Sequence, residues 1–208
     1  MQIALALFDA FTALDIVGPF QVLADQPGHE VVWVAAERGP VRDHTGHLPI
    51  TAEATFADVP QPQVVVVPGG MRAERHVPHH PVVAWLRRVH LTTAWTTSVC
   101  TGSLLLAGAG IIDGVDATTH WAARAELERL GARYTEERVV ERGRVITAAG
   151  VSAGVDMALT LTARLHGDAA AQAIQLAIEY DPQPPFDTGS VSKAPADLVA
   201  AVASFLSA

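Results

Sequence analysis

Cysteine is nearly absent: Cys100 is the one thiol in 208 residues. A lone thiol cannot close an intramolecular disulfide, so a disulfide-stapled scaffold is excluded and Cys100 is either a small buried hydrophobe or a reactive group. Charge is sparse as well, at 17% of residues, and sums to -8. The few arginines, such as Arg87 and Arg88, form no extended basic stripe, which leaves no electrostatic route to nucleic acid. A membrane span needs roughly 18 uncharged apolar residues, and Pro, Gly, Asp or Arg breaks each candidate run. The opening MQIALALFDAF has no basic region and no small-residue cleavage site, and Asp9 interrupts it. It reads as a core strand, not a signal peptide, and the cytoplasm is the expected location. No repeat, low-complexity tract or composition shift divides the chain, which implies one domain over residues 1–208.

What is present is apolar material, 50% of the residues, enough for a sizeable core. The runs QIALALF (2–8), EVVWVAA (30–36), QVVVVPG (63–69) and TAWTTSV (93–99) are rich in β-branched residues and nearly continuous in apolarity. That pattern fits strands of a parallel sheet covered on both faces. Helical patterns are expected at about 14–25, 80–91, 101–110, 119–130, 153–166 and 168–180, with a closing helix at about 195–206. The alternation predicts an open α/β sandwich with a mostly parallel central sheet and right-handed crossovers. Residues 133–149 alternate as a hairpin turning at Arg142-Gly143-Arg144, and Pro and Gly mark loops at 38–49, 57–63 and 181–190.

Cys100 falls where a strand should meet a helix, within TTSVCTGSLLLAGAGIIDG (96–114). Open parallel sheets place ligands at the carboxyl ends of their strands. A sharp strand-to-helix turn there acts as a nucleophile elbow, exposing the reactive atom to unpaired amides at the helix start. Those amides and the helix dipole are expected to lower the thiol's pKa.

The elbow, followed by ATTHW (117–121), resembles the ThiJ/PfpI superfamily of glutamine-amidotransferase-like folds. With LDIVGPFQVLA (14–24), VVPGGM (66–71) and EYDPQPPFDTGS (179–190), the resemblance narrows to the isonitrile (isocyanide) hydratase family and covers nearly the whole chain. It implies a flavodoxin-like three-layer sandwich and a homodimer without metal or organic cofactor, acting on a small-molecule isonitrile and water to give an N-substituted formamide; composition leaves no nucleic acid and no membrane as expected partners.

That chemistry can be placed on residues. Cys100 would attack the electrophilic isonitrile carbon to give a thioimidate that water converts to formamide, while the nitrogen gains a proton. Asp15 is the candidate proton relay, with a carboxyl pKa raised beside the sulfur; its alternative role is the N-cap of the first helix. Thr101 is an active-site residue by the resemblance. Gly69 and Gly70 could present amides to developing charge or serve only a turn. His120 invites a Cys-His dyad, but the hydratase scheme makes it a second-shell or structural residue. Val151 is expected to touch the pocket, and the methyls of Ala148 and Ala149 stand where the hydratase pattern is glycine-rich, which puts pocket size in doubt. His76, His79 and His80 sit in a Pro-containing stretch without the Cys or carboxylate spacing of a metal site. Two other functions compete: a glyoxalase, deglycase or amidase of the same superfamily, and a non-enzymatic thiol or ligand sensor.

Overall fold

The computed structural model describes residues 1–207 apart from 72, 74–76 and 78. Its centre is a seven-stranded sheet ordered β10-β11-β7-β6-β1-β2-β5. The strands are β1 (Gln2–Ala6), β2 (Glu30–Ala35), β5 (Ala54–Thr55), β6 (Val64–Val67), β7 (Trp95–Val99), β10 (Val139–Arg142) and β11 (Val145–Ala148). Every pairing in it is parallel except β10 with β11. Val64 to Val67 are fully buried along their whole length, as a strand with helices on both faces requires. One helical layer holds α1 (Ala13–Leu23), α5 (Ala153–His166) and α6 (Asp168–Ala177); the other holds α2 (Pro81–Val89), α3 (Gly102–Gly108) and α4 (Arg124–Arg129). The last helix, α7, spans Ala196–Ser207.

Three expectations need correction. Residues 38–49 are not simply a loop, because β3 (Gly39–Arg42) and β4 (Pro49–Ala52) pair antiparallel around a turn held by Asp43. The helix expected over 119–130 splits into a 3-10 turn at Trp121–Ala123 and the short α4. His120 precedes the turn as its cap, its Nδ1 accepting the Ala122 amide at 3.3 Å. The hairpin expected over 133–149 begins only at Val139 and turns at Gly143, whose φ of +58° suits glycine. Its first residues instead form β9 (Arg133–Tyr134), which pairs parallel with β8 (Asp116–Ala117).

The polar stretch of β7 is accommodated inside the core by local bonds. Thr97 Oγ1 donates to the Val65 carbonyl at 3.0 Å, and Thr96 Oγ1 lies 2.8 Å from Thr93 Oγ1 and 2.9 Å from His90 Nδ1. In the α2 layer, Trp85 is fully buried, stacks on Phe56 with ring centres 4.9 Å apart, and donates its indole N–H to the Val59 carbonyl at 2.9 Å. Trp85→Ala removes the stacking and leaves that carbonyl short of a donor, so chemical denaturation should register a loss of about 3–5 kcal/mol.

Candidate active site

Cys100 closes β7 and opens toward α3 with φ +57°, a left-handed conformation that an L-residue adopts at a cost. The turn is held from four sides. Its N–H is shared between the carbonyls of Ala148 and Ala149, at 3.0 and 2.9 Å, and its carbonyl accepts the hydroxyls of Ser103 and Thr119, each at 3.1 Å. Ala148 is fully buried and Ala149 partly so, packed on the core. Their backbones fix the elbow while neither side chain lines the cavity beside Cys100.

Asp15 is brought to the sulfur by α1. It is not the helix N-cap: Thr12 holds that position, and Asp15 lies in the first turn with its side chain directed away from its own helix. Its carboxylate oxygen Oδ2 accepts the Gly69 amide at 2.8 Å, and Oδ1 has no hydrogen-bond partner among the described residues. Asp15 is fully buried, and that burial raises its pKa to about 7 against the pull of the Gly69 amide and the Cys100 thiol. The thiol departs from expectation in the opposite direction. Burial, reinforced by the charge of Asp15, pushes Cys100 up to about 12, outweighing the bonds from the Thr101 and Val151 amides and the Thr101 side chain. The pair therefore rests as a thiol beside a carboxyl group poised near neutrality.

Of the two roles open to Gly69 and Gly70, presenting amides to a substrate is closed, since both amides are already engaged. Gly69 N–H serves Asp15, and Gly70 N–H donates to Thr101 Oγ1 at 3.0 Å while that hydroxyl donates back to the Gly70 carbonyl at 3.0 Å. Neither is free for developing charge on a substrate; the amides directed at the sulfur are those of Thr101 and Val151. Gly69 is required for space, because a Cβ there would lie 2.6 Å from both Thr101 N and Oγ1 and 2.9 Å from Asp15 Oδ2. Thr101 thus ties the β6 end to the elbow, and Val151 approaches the sulfur with a strained φ of +26°.

A cavity of about 720 Å³ opens on Cys100, Thr101, Gly70 and Val151. His120 is on its wall, kept toward the neutral form by burial, with its ring edge against Gly150, where a Cβ would approach to 2.8 Å. The ring caps the 3-10 turn through its Nδ1. His44, Met71, Trp121 and Leu206 also line the cavity. Trp121 was within reach of the ATTHW motif; His44 and Leu206 carried no local signal, since a hairpin turn and the far C-terminal helix deliver them. His80 caps α2 by accepting the Val82 amide at 3.1 Å, and His76 lies outside the described residues. Among the described residues no three His, Cys, Asp or Glu side chains gather as a metal site.

Comparison with known proteins places these features. Residues 1–164 match the model of the DJ-1/PfpI family. An isonitrile hydratase from Pseudomonas putida is 41% identical over 199 residues, covering 96% of this chain and 87% of that protein. The transcriptional regulator GbdR of Pseudomonas aeruginosa is 30% identical over 189 residues, 86% of this chain but 51% of the regulator. A crystal structure of a ThiJ/PfpI family protein from Pseudomonas syringae superposes with a TM-score of 0.94 at 36% identity, over 99% of this chain and 86% of that one.

The carboxyl of Asp15 makes stability depend on pH. Between the ordinary carboxyl pKa of 3.8 and the folded value of about 7, the folded protein keeps a proton that the unfolded chain has lost, so stability falls as pH rises through this window. Asp15→Asn should flatten that slope and stabilise the protein above pH 7 by a few kcal/mol, a comparison made by denaturant titration across pH 4 to 8.

Proposed function

Because the chain belongs to the DJ-1/PfpI family, we propose, from its similarity to the isonitrile hydratase of Pseudomonas putida, that it adds water to an organic isonitrile to give an N-substituted formamide. The observation that carries this reading is the buried pair of Cys100, which lines the cavity, and Asp15, which bonds to its thiol from behind it. In the proposed sequence the thiol adds to the terminal carbon: the Sγ–C bond forms as Asp15 takes the thiol proton and delivers it to that carbon, leaving a thioimidate, R–N=CH–S. Water then attacks the same carbon, giving up one proton by way of Asp15 while the nitrogen gains a proton. Collapse of the tetrahedral adduct breaks the C–S bond, returns the proton to sulfur and releases R–NH–CHO. The sum is one isonitrile and one water to one formamide, with no electron transfer.

A carboxyl group near 7 suits both halves of this relay, because it accepts and returns a proton with little bias at neutral pH. The amides of Thr101 and Val151 steady the sulfur as charge builds on it. The redox-sensor alternative is disfavoured by the same facts. Oxidant-sensing thiols are exposed and of low pKa, whereas Cys100 is buried with its pKa pushed up to about 12. The cytoplasmic location, the single functional domain over 1–208 and the homodimer remain part of the proposal. For the dimer, α7 exposes Leu198, Val202 and Phe205 in a stripe that a second copy would cover.

Formamide formation from an aryl isonitrile tests the reaction. Wild type should turn over and Cys100→Ala should not, while Asp15→Asn should lose about 10²–10⁴-fold in kcat. Below pH 7 the wild-type kcat/KM should fall about tenfold per unit as Asp15 protonates, with a plateau above it. Turnover retained by Cys100→Ala would remove the cysteine from the chemistry. Sedimentation velocity at micromolar concentration should show a dimer that Phe205→Glu converts to monomer; a monomeric wild type would end the dimer proposal.

A further inference from the structure

We infer that α7 forms the wall that selects the substituent of the substrate, with Leu206 and Ala203 closing the cavity together with Trp121, and that the preferred isonitriles carry a neutral aryl or larger apolar group. This deepens the hydratase reading and rests on it for the identity of the substrate.

The inference starts from size. The reacting unit, N≡C, is two atoms long and linear, so once its carbon reaches Sγ the substituent must project into the cavity. About 720 Å³ is far more than a methyl group fills and lies in the range of pockets that enclose drug-sized ligands. The surface offered to that substituent is largely apolar, with Leu104, Met71, Trp121, Val151, Ala203 and Leu206. A small isonitrile would leave this surface unused, whereas an aromatic one buries area against it in proportion to its size.

Charge points the same way. Two ionised side chains reach the lining, Arg124 and Glu126, and both are satisfied within the protein. Arg124 Nε lies 3.3 Å from Glu128 Oε1 with its guanidinium over the Tyr134 ring, and Glu126 accepts two bonds from Arg129 at 2.6 and 2.7 Å. A charged substituent would find no open ionic partner on this wall, whereas a neutral apolar one gains the buried contact, which favours the neutral one.

The position of α7 in the chain makes it the element free to specialise. The family match ends at residue 164, and Ala203 and Leu206 lie beyond it. The elbow, Asp15 and the glycines thus fall within the family model, while this part of the cavity wall is added beyond it and is shared with the Pseudomonas syringae protein, which superposes over 99% of this chain. Nor is the wall close-packed: a second hollow of about 270 Å³, bounded by Trp121, Val199 and Val202, lies beside α7. Trp121 therefore separates two open spaces, and Leu206 borders the one that opens on Cys100, so a larger side chain at 206 narrows that cavity.

The test compares wild type with Leu206→Ala and Leu206→Trp, each confirmed folded by circular dichroism. The kcat/KM ratio for 2-naphthyl over methyl isonitrile is measured alongside the ratio of alkylation rates by N-(1-pyrenyl)maleimide and iodoacetamide. Cys100 is the only thiol, so labelling reports on this site alone and does not depend on hydration. Wild type should favour the naphthyl substrate, and Leu206→Trp should lower both ratios by about tenfold or more, with Leu206→Ala shifting them in the opposite direction. Unchanged ratios in Leu206→Trp would overturn the inference, whether or not isonitriles are hydrated. A shift in the labelling ratio with no hydration by any protein would keep α7 as the wall while removing the hydratase reading.

Discussion

The site depends on a carboxyl group held out of water with too few partners. Asp15 receives one backbone amide, from Gly69, and the Cys100 thiol, while its Oδ1 has no hydrogen-bond partner among the described residues. A buried carboxylate with several amide donors would stay ionised and serve as a fixed charge; with a single donor, desolvation dominates and the proton becomes exchangeable near neutrality. The same burial raises the thiol, so the resting protein holds a thiol and not a stored thiolate. That arrangement keeps the sulfur protonated in the resting protein.

Much of the surrounding backbone follows from keeping Asp15 and Cys100 in contact. Cys100 is held in a left-handed turn by bonds to both its N–H and its carbonyl, so its strain is stabilised by four neighbours instead of by the site itself. Gly69 lets the β6 end pass between Asp15 and Thr101, where a methyl group has no room. Thr101 then spends its hydroxyl on both backbone groups of Gly70, which joins the ends of β6 and β7 into one rim. The amides that remain directed at sulfur are those of Thr101 and Val151, drawn from two different strand ends of the sheet.

The sequence made the parts of this plan that depend on local pattern visible. The valines of 64–67 announce a doubly covered strand, and VCTGS marks the elbow because only a strand meeting a helix places those residue types together. Asp15 could be paired with Cys100 since strand ends of a parallel sheet share a rim. The direction of the thiol's pKa could not be read, because helix-start amides are a local feature while desolvation is set by the whole fold. The roles of Gly69 and Gly70 were hidden for a related reason: whether an amide is free depends on which side chain, Asp15 or Thr101, reaches it across the sheet. The hairpin within 38–49 was obscured by Pro and Gly that here bound its strands and turn.

The division between shared and added structure explains how one elbow can accompany different functions. Relatives as unlike as a hydratase and a transcriptional regulator share this part of the chain. A buried thiol and a carboxyl near neutrality specify a kind of proton and carbon chemistry, but they say little about the group attached to the reacting atoms. That information must come from surfaces a substituent can reach, and in this chain those include the Trp121 turn and a helix lying after the family match. Residues of the elbow are over-determined by hydrogen bonds and tolerate little change, whereas α7 is attached through a segment with no fully buried residue from 168 onward among those described. A change of residue therefore costs little stability in α7 and much at the elbow, where each backbone group has a fixed partner.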